Sequence, residues 1–304
     1  MNKLETIKKA LKKNIFIEKK KNFFVKNNSY NYSKNFGIQW HNFQKTQYDS
    51  FTGYPLTKNR LLNSSKWKID EVKDKLVIEL GSGAGRFTEV LLSAGCYLVS
   101  VEMSDAILVN ESNNKSNRAL FIKSSLNGLE FLNNLFDFVL CYGVAQHTPN
   151  LFKTYKSCFD FGKKGSKISI DHYRKTFFPT TKKIWRPITK RINPKILLKI
   201  IKFYIPYYFQ IDTFIKLNLN FFLRVIARIF LPIPCVNYTN IKNIPQEREK
   251  LIEWAIMDTF DALGAKYDSP LTERQLKNIC KKIGLKNYSI KKNKDLLVLN
   301  FSKF

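Results

Sequence analysis

The chain has 304 residues, enough for a full hydrophobic core and one or two domains. Its 44% hydrophobic content excludes a disordered chain. The net charge of +28 leaves two readings open: attraction to anions such as nucleic acid, an acidic membrane or a phosphorylated glycan, or the composition bias of AT-rich codons, which encode the abundant Lys, Asn, Ile, Phe and Tyr.

In chain order, residues 1 to about 35 are rich in Lys and Asn with scattered aromatics, and read as a basic arm. Residues 37–66 mix aromatic and polar groups and are expected to form a short helical cap, so the cap region as a whole spans 1–66. Leu76–Leu80 is an apolar run ending in glycines, which suits a buried parallel strand. Arg86 to Ala94 reads as a helix, because Phe87, Val90, Leu91 and Ala94 fall at i, i+3, i+4 and i+7, and Gly95 sits where a helix-ending glycine belongs. Further strands are expected at Tyr97–Val101, Ala119–Ile122, Phe136–Tyr142 and Lys167–Ile170. Such alternation implies right-handed βαβ units and a parallel sheet over a core of 67–173. An insertion follows at 174–270. The pattern resumes in 271–304, where Thr272-Glu273-Arg274-Gln275 is a capping box. A helix ends at Gly284, and two strands follow, Lys286–Lys291 and Asp295–Phe301.

The five cysteines, Cys96, Cys141, Cys158, Cys235 and Cys280, include no C-x-x-C pair. No disulfide framework or zinc site is expected, and a reducing cytoplasm suits the pattern. No apolar core follows the basic N-terminus, and no run reaches the roughly 18 apolar residues of a spanning helix. The expected location is therefore the cytoplasm, with peripheral contact at the inner membrane face left open.

The turn after the first core strand is Glu79-Leu80-Gly81-Ser82-Gly83-Ala84-Gly85. Glycines at such a strand-to-helix turn let a ligand approach the backbone. The spacing here is G-x-G-x-G. A nicotinamide site needs G-x-G-x-x-G/A, and Arg86 or Thr88 stands where the third small residue belongs. Glu79 disfavours a pyrophosphate and favours a cationic amino group. Glu102 closes the next strand, where a carboxylate can accept both hydroxyls of a ribose.

These segments, with FDFVLCYGVAQHTPN and the strand after KKGSK, resemble the class I S-adenosylmethionine (SAM)-dependent methyltransferases over residues 70–171, in particular the broad methyltransferase-11 group. The resemblance implies a doubly wound, seven-stranded Rossmann-like α/β sheet, here with a helical insertion before the last helix. It implies SAM as cofactor, with Glu79, Gly81, Gly83 and Gly85 at its methionine end, Glu102 on the ribose and Met103 on the adenine. Ser125 stands where many relatives carry an Asp for the adenine amino group, and Tyr142 would lie beneath the sulfonium. Outside the core, GIQWHNFQKTQYDSFTG and WAIMDTFDALGAKYDSPLT look like a bacterial subgroup often associated with surface-polysaccharide gene clusters.

Methyl transfer mainly needs an aligned nucleophile and exclusion of water, with a base where the nucleophile is a hydroxyl. Candidates lie at the carboxyl ends of the strands. His147 can act as a base or only shape the pocket. Asp171 and His172 can be a base and its orienter, or Asp171 can cap the insertion. Asp258 and Asp261 share a face if a helix runs through them, facing substrate or solvent. Thr46, Gln47 and Asp49 are similar candidates. No D/N-P-P-Y/F pattern and no prolyl-cysteine follow the fourth core strand, which counts against a DNA methyltransferase; Cys141 reads as core. No metal is expected.

Over 174–248 the insertion carries 15 Lys and Arg against two acids, Asp212 and Glu247. It can be a lid over the pocket, an amphipathic surface on an anionic membrane, or a nucleic-acid surface. Its apolar density over Ile196–Pro234 fits the first two better, so nucleic acid is not expected as a partner. The overall expectation is methyl transfer, most readily to oxygen, onto a small molecule or glycan precursor. A membrane lipid or quinone precursor is the alternative acceptor, and a non-catalytic SAM-fold protein binding membrane or RNA is the alternative class.

Overall fold

The computed structural model describes residues 3–26, 33–176, 180–240, 247–293 and 295–304. Parts of the expected N-terminal arm and of the insertion, 27–32, 177–179 and 241–246, lie outside the described residues. In chain order the elements are α1 (Lys3–Lys13), β1 (Ile17–Lys20), β2 (Phe23–Val25), α2 (Lys34–Asn42), α3 (Asp49–Thr52), α4 (Leu56–Ser65), β3 (Leu76–Leu80), α5 (Arg86–Ser93), β4 (Tyr97–Glu102), α6 (Ala106–Asn113), β5 (Ala119–Lys123), β6 (Phe136–Cys141), α7 (Leu151–Phe161), β7 (Gly162–Tyr173), α8 (Thr181–Thr189), α9 (Pro194–Asn218), α10 (Phe221–Phe230), α11 (Arg248–Gly264), α12 (Glu273–Ile283), β8 (Tyr288–Lys292) and β9 (Leu296–Ser302).

The strands form one sheet in the order β1-β2-β5-β4-β3-β6-β7-β9-β8. From β2 to β7 neighbours run parallel, and β9 enters antiparallel between β7 and β8. The apolar runs of β3 and β4 are almost wholly buried because helices cover both faces. Strand order reverses between β3 and β6, so the carboxyl ends of these two strands open a crevice where ligands of such sheets bind.

The described sheet has nine strands rather than seven. The described part of the N-terminal segment packs on the sheet. Leu4, Ile7 and Leu11 of α1 and Phe24 of β2 are buried in the main core, and β2 adds to the edge of β5. The apolar spacing of α1 is helical, but the lysines between its anchors dilute it in composition. Residues 34–65 form three short helices beside the crevice.

The turn between β3 and α5 has a backbone that only glycine adopts without strain. Gly81 has φ +70° and Gly85 φ +97°. A Cβ on Gly81 would stand 2.2 Å from Val144 Cγ2, and one on Gly85 would stand 2.0 Å from Asn110 Oδ1. A buried polar chain backs this turn. Thr88 Oγ1 donates to Glu79 Oε2 at 2.5 Å, and Asn110 Nδ2 donates to Thr88 Oγ1 and Ser100 Oγ, both at 2.9 Å. Tyr48 Oη donates to the Ala84 carbonyl at 2.5 Å and accepts from Asn114 Nδ2 at 2.6 Å.

Burial pushes the Glu79 carboxyl up to about 8, with Thr88 partly opposing the shift. Glu79 is therefore protonated at neutral pH in the folded chain and ionised in the unfolded one. Its contribution to stability falls as pH rises from its ordinary 4.5 to about 8 and levels beyond. Glu79→Gln removes this dependence. Across that window the variant should gain stability over the wild type by roughly 1.4 kcal/mol per pH unit at most, measured by denaturant unfolding at several pH values. A difference that stays flat with pH would show that Glu79 is ionised in the fold.

Candidate active site

The crevice is one cavity of about 1280 Å³. Gly81–Gly85, Glu102, Met103, Ser125 and Leu126 line one side of it. Tyr142, Gly143, His147, Tyr173, Asp258 and Asp261 line the other. Helices α2 and α4 contribute Trp40 and Arg60, and the insertion contributes Ile215, Arg224 and Arg228.

Glu102, at the end of β4, accepts from the Gly83 N–H at 3.2 Å and the Ser104 N–H at 2.8 Å. Each oxygen takes one bond and keeps acceptor capacity toward the cavity. Gly143 follows β6, and a Cβ there would project into open space with nothing within 4 Å. Glycine thus keeps the cavity floor clear beside Tyr142. The Tyr142 ring packs edge-on against Phe87, and its hydroxyl donates to Ser169 Oγ at 2.7 Å, which donates in turn to Asn300 Oδ1. Ser82 Oγ is buried and takes no hydrogen bond among the described residues. A diol acceptor at Glu102, an unsatisfied hydroxyl in the turn and a cleared floor at Gly143 fit an adenosyl amino acid.

Glu79 does not reach this cavity. It is 2% exposed beneath the turn and braces Thr88. Its Oε1 is buried and takes no hydrogen bond among the described residues, and Arg86 acts on the carboxyl electrostatically.

Asp171 and His172 cannot act as base and orienter. Consecutive residues of β7 point to opposite faces of the sheet. Asp171 is 1% exposed. Its Oδ1 accepts from the Gly143 N–H at 2.5 Å and its Oδ2 from Arg60 Nη2 at 2.5 Å. It therefore fixes the floor of the cavity and one wall cation. His172 lies in the core on the other face and donates from Nε2 to the Ser269 carbonyl at 2.7 Å. Burial lowers its proton affinity, so it is neutral.

His147, Asp261 and Asp258 do come together. His147 Nδ1 lies 2.9 Å from the Tyr267 carbonyl. A carbonyl only accepts, so Nδ1 carries the hydrogen and the neutral ring keeps Nε2 as an acceptor. Nε2 is 3.9 Å from Asp261 Oδ2, which also accepts from the Tyr173 hydroxyl at 3.2 Å. Asp258 and Asp261 sit on the cavity side of α11. Asp258 Oδ2 accepts from Tyr238 Oη at 2.5 Å and Trp254 Nε1 at 3.2 Å. Burial, with Asp261 adding to it, holds the Asp258 carboxyl up to about 6.

Of the cap residues, Gln47 lines the cavity. Thr46 donates to Glu253, and Asp49 accepts from the Thr57 and Lys58 N–H groups at the start of α4. Sequence reasoning missed Trp40, Tyr238 and the arginines Arg60 and Arg86. Both guanidinium groups lie over the Phe87 ring, at 5.8 and 4.8 Å from its centre. Burial and the neighbouring Arg60 bring Arg86 down to about 10, still cationic at neutral pH. Arg86 was visible only as the residue that breaks a dinucleotide motif. Arg60 is placed by α4, far from the motif in sequence.

The methyltransferase-11 family model, described as a methyltransferase domain, matches residues 78–170. A ubiquinone biosynthesis O-methyltransferase of Coxiella burnetii is 26% identical over 109 residues, which cover 35% of this chain and 47% of that protein. The chain thus spans about half the length of the curated relatives it matches. Among solved structures, a proposed SAM-dependent methyltransferase of Methanococcus maripaludis is similar at 15% identity and a TM-score of 0.48, covering 91% of this chain and 96% of that one. Magnesium protoporphyrin IX methyltransferase of Synechocystis, with bound S-adenosylhomocysteine, is similar at 12% identity and a TM-score of 0.41, covering 87% and 84%. With the family match lying across the glycine turn, the β4 acid and the cavity floor, residues 78–170 belong to the class I SAM-dependent methyltransferases, whose cofactor is S-adenosylmethionine.

Proposed function

We propose that this chain transfers the methyl group of SAM to a hydroxyl of a small molecule or glycan precursor bound in the cavity. The observation that carries the reading is the pairing of His147 and Asp261 across the cavity from the glycine turn. SAM supplies a carbon already activated by a sulfonium, so the chain's own residues need only hold, orient and deprotonate the acceptor.

Glu102 is the group suited to the ribose, and the turn at Gly81–Gly85 to the methionine end. His147 Nε2, with its tautomer set by Tyr267, takes the hydroxyl proton as the new O–C bond forms. Asp261 stabilises the resulting imidazolium from 3.9 Å. Asp258 and Tyr238 offer hydrogen bonds to further hydroxyls of the acceptor. Arg86 contacts no carboxylate among the described residues and is available to an anionic group of either bound molecule. The membrane-associated alternative, a lipid or quinone precursor, draws support from the distant likeness to a ubiquinone biosynthesis O-methyltransferase and from the apolar face described in the next subsection.

Two outcomes are expected. S-adenosylhomocysteine should raise the melting temperature, and Glu102→Ala should remove most of that shift, with a loss of about 1–3 kcal/mol of binding; absence of binding by calorimetry would refute the cofactor assignment. With methyl-labelled SAM and extracted cell metabolites as acceptors, His147→Ala should keep cofactor binding and lower label transfer by about 10²–10⁴-fold. Unchanged transfer in that variant would leave His147 as a wall residue and remove the base from the account.

A further inference from the structure

The structure assigns to helices α8, α9 and α10 a surface that docks on an anionic phospholipid bilayer. This inference does not depend on the methyl-transfer reading.

The inner face of α9 is ordinary. Leu197, Leu198, Ile201, Ile205 and Phe209 pack on Leu251, Trp254 and Phe260 of α11. Its opposite face is also apolar, and it is exposed. Ile196, Ile200, Phe203, Tyr207, Ile211, Phe214 and Leu217 follow one another at steps of three or four residues, and Phe203 and Tyr207 are more than 70% exposed. The stripe is roughly 32 Å long. On α10 the usual orientation is inverted. Arg224 and Arg228 turn inward to the cavity, and Arg228 bonds Asp212 and Tyr208. Phe222, Val225 and Ile229 turn outward, and no residue of α10 is buried. Ile184, Trp185 and Ile188 of α8 are exposed as well. Of the 24 large apolar side chains exposed among the described residues, 17 lie between Ile184 and Leu231. A contiguous exposed apolar surface of this kind marks an interaction or membrane face rather than ordinary scattered exposure.

Charge decides between occupants. Lys190, Arg191, Lys195, Lys199 and Lys202 are exposed beside the apolar stripe, with Lys202 also donating to Asn42 Oδ1 at 2.9 Å. The acid of residues 180–240 is Asp212, which is buried and paired with Arg228. A second copy of a chain of net charge +28 would set like charges together across this face. An anionic bilayer offers the opposite charge at headgroup level and hydrocarbon just below it. No helix among the described residues is long and apolar enough to cross a membrane, so α9 and α10 lie along the interface. Lys182, Ile215, Arg224 and Arg228, on the inner sides of the same helices, line the cavity. Docking therefore sets the cavity directly behind the bound face.

The test is flotation of the full chain with vesicles of phosphatidylcholine alone or with about one third phosphatidylglycerol. The protein should float with the anionic vesicles and largely remain behind with the neutral ones, and added salt should weaken flotation. Replacing exposed Phe203, Phe214 and Phe222 together by Ser should lower partitioning about tenfold or more, with the circular dichroism spectrum and melting temperature unchanged. A second variant, Lys190→Gln with Lys195→Gln and Lys199→Gln, should lose the preference for anionic vesicles without touching an apolar anchor. No flotation with either vesicle, equal flotation with both, or flotation unaffected by both variants would overturn the proposal. So would sedimentation showing a dimer that the Phe→Ser variant dissociates and that does not float.

Discussion

A carboxylate removed from water must be paired, and the site is organised around one such carboxylate and its half-buried guanidinium partner. Asp171 is almost wholly buried, and its two oxygens are divided between Arg60 and the Gly143 N–H. The three groups come from β7, α4 and the end of β6. Losing Arg60 would leave the buried Asp171 charge without its cation, at a cost of about 3–5 kcal/mol. The pair therefore sets the position of the cap helices relative to the sheet, holds the floor at Gly143 and orients Arg60 over Phe87. Glu79 answers the same physics differently. With Thr88 donating to it and burial outweighing the pull of Arg86, its carboxyl is pushed up to about 8 and braces the turn from beneath.

What was legible in the sequence was local. Most core strands are short buried runs, and the G-x-G-x-G turn, the closing acid Glu102 and the capping box at Thr272 depend on neighbours in sequence; these appear where their patterns put them, while β7 begins at Gly162, ahead of the expected Lys167. What was not legible depends on distant chain. The N-terminal strands add to the sheet edge because Phe24 finds a core built by residues 76–170, which no local pattern announces. The Asp171–His172 dipeptide suggested cooperation, but the pleat of β7 sends the two side chains to opposite faces. Arg60 and Asp171 are 111 positions apart, and neither belongs to a motif. His147, Asp258 and Asp261 could be named from strand ends and helical spacing, but the Tyr267 carbonyl that fixes the histidine tautomer could not.

The insertion shows why composition misleads about charge. Its inward cations are committed: Arg228 to Asp212, and Lys182 to Asp268. Others, among them Lys195 and Lys199, are exposed beside an apolar face that the fold leaves uncovered. One segment thus walls the cavity with its polar side and presents its apolar side outward, and the lid and membrane readings of the sequence describe opposite faces of the same helices.

One cavity would hold the cofactor at the glycine turn with its reactive end toward His147 and Asp261. A crystal structure with S-adenosylhomocysteine tests it most directly. The account predicts ribose hydroxyls on the Glu102 carboxylate and a sulfur atom above Tyr142 and Gly143, open toward His147 Nε2. A ligand seated away from Glu102, or a sulfur turned from the side of His147 and Asp261, would contradict it.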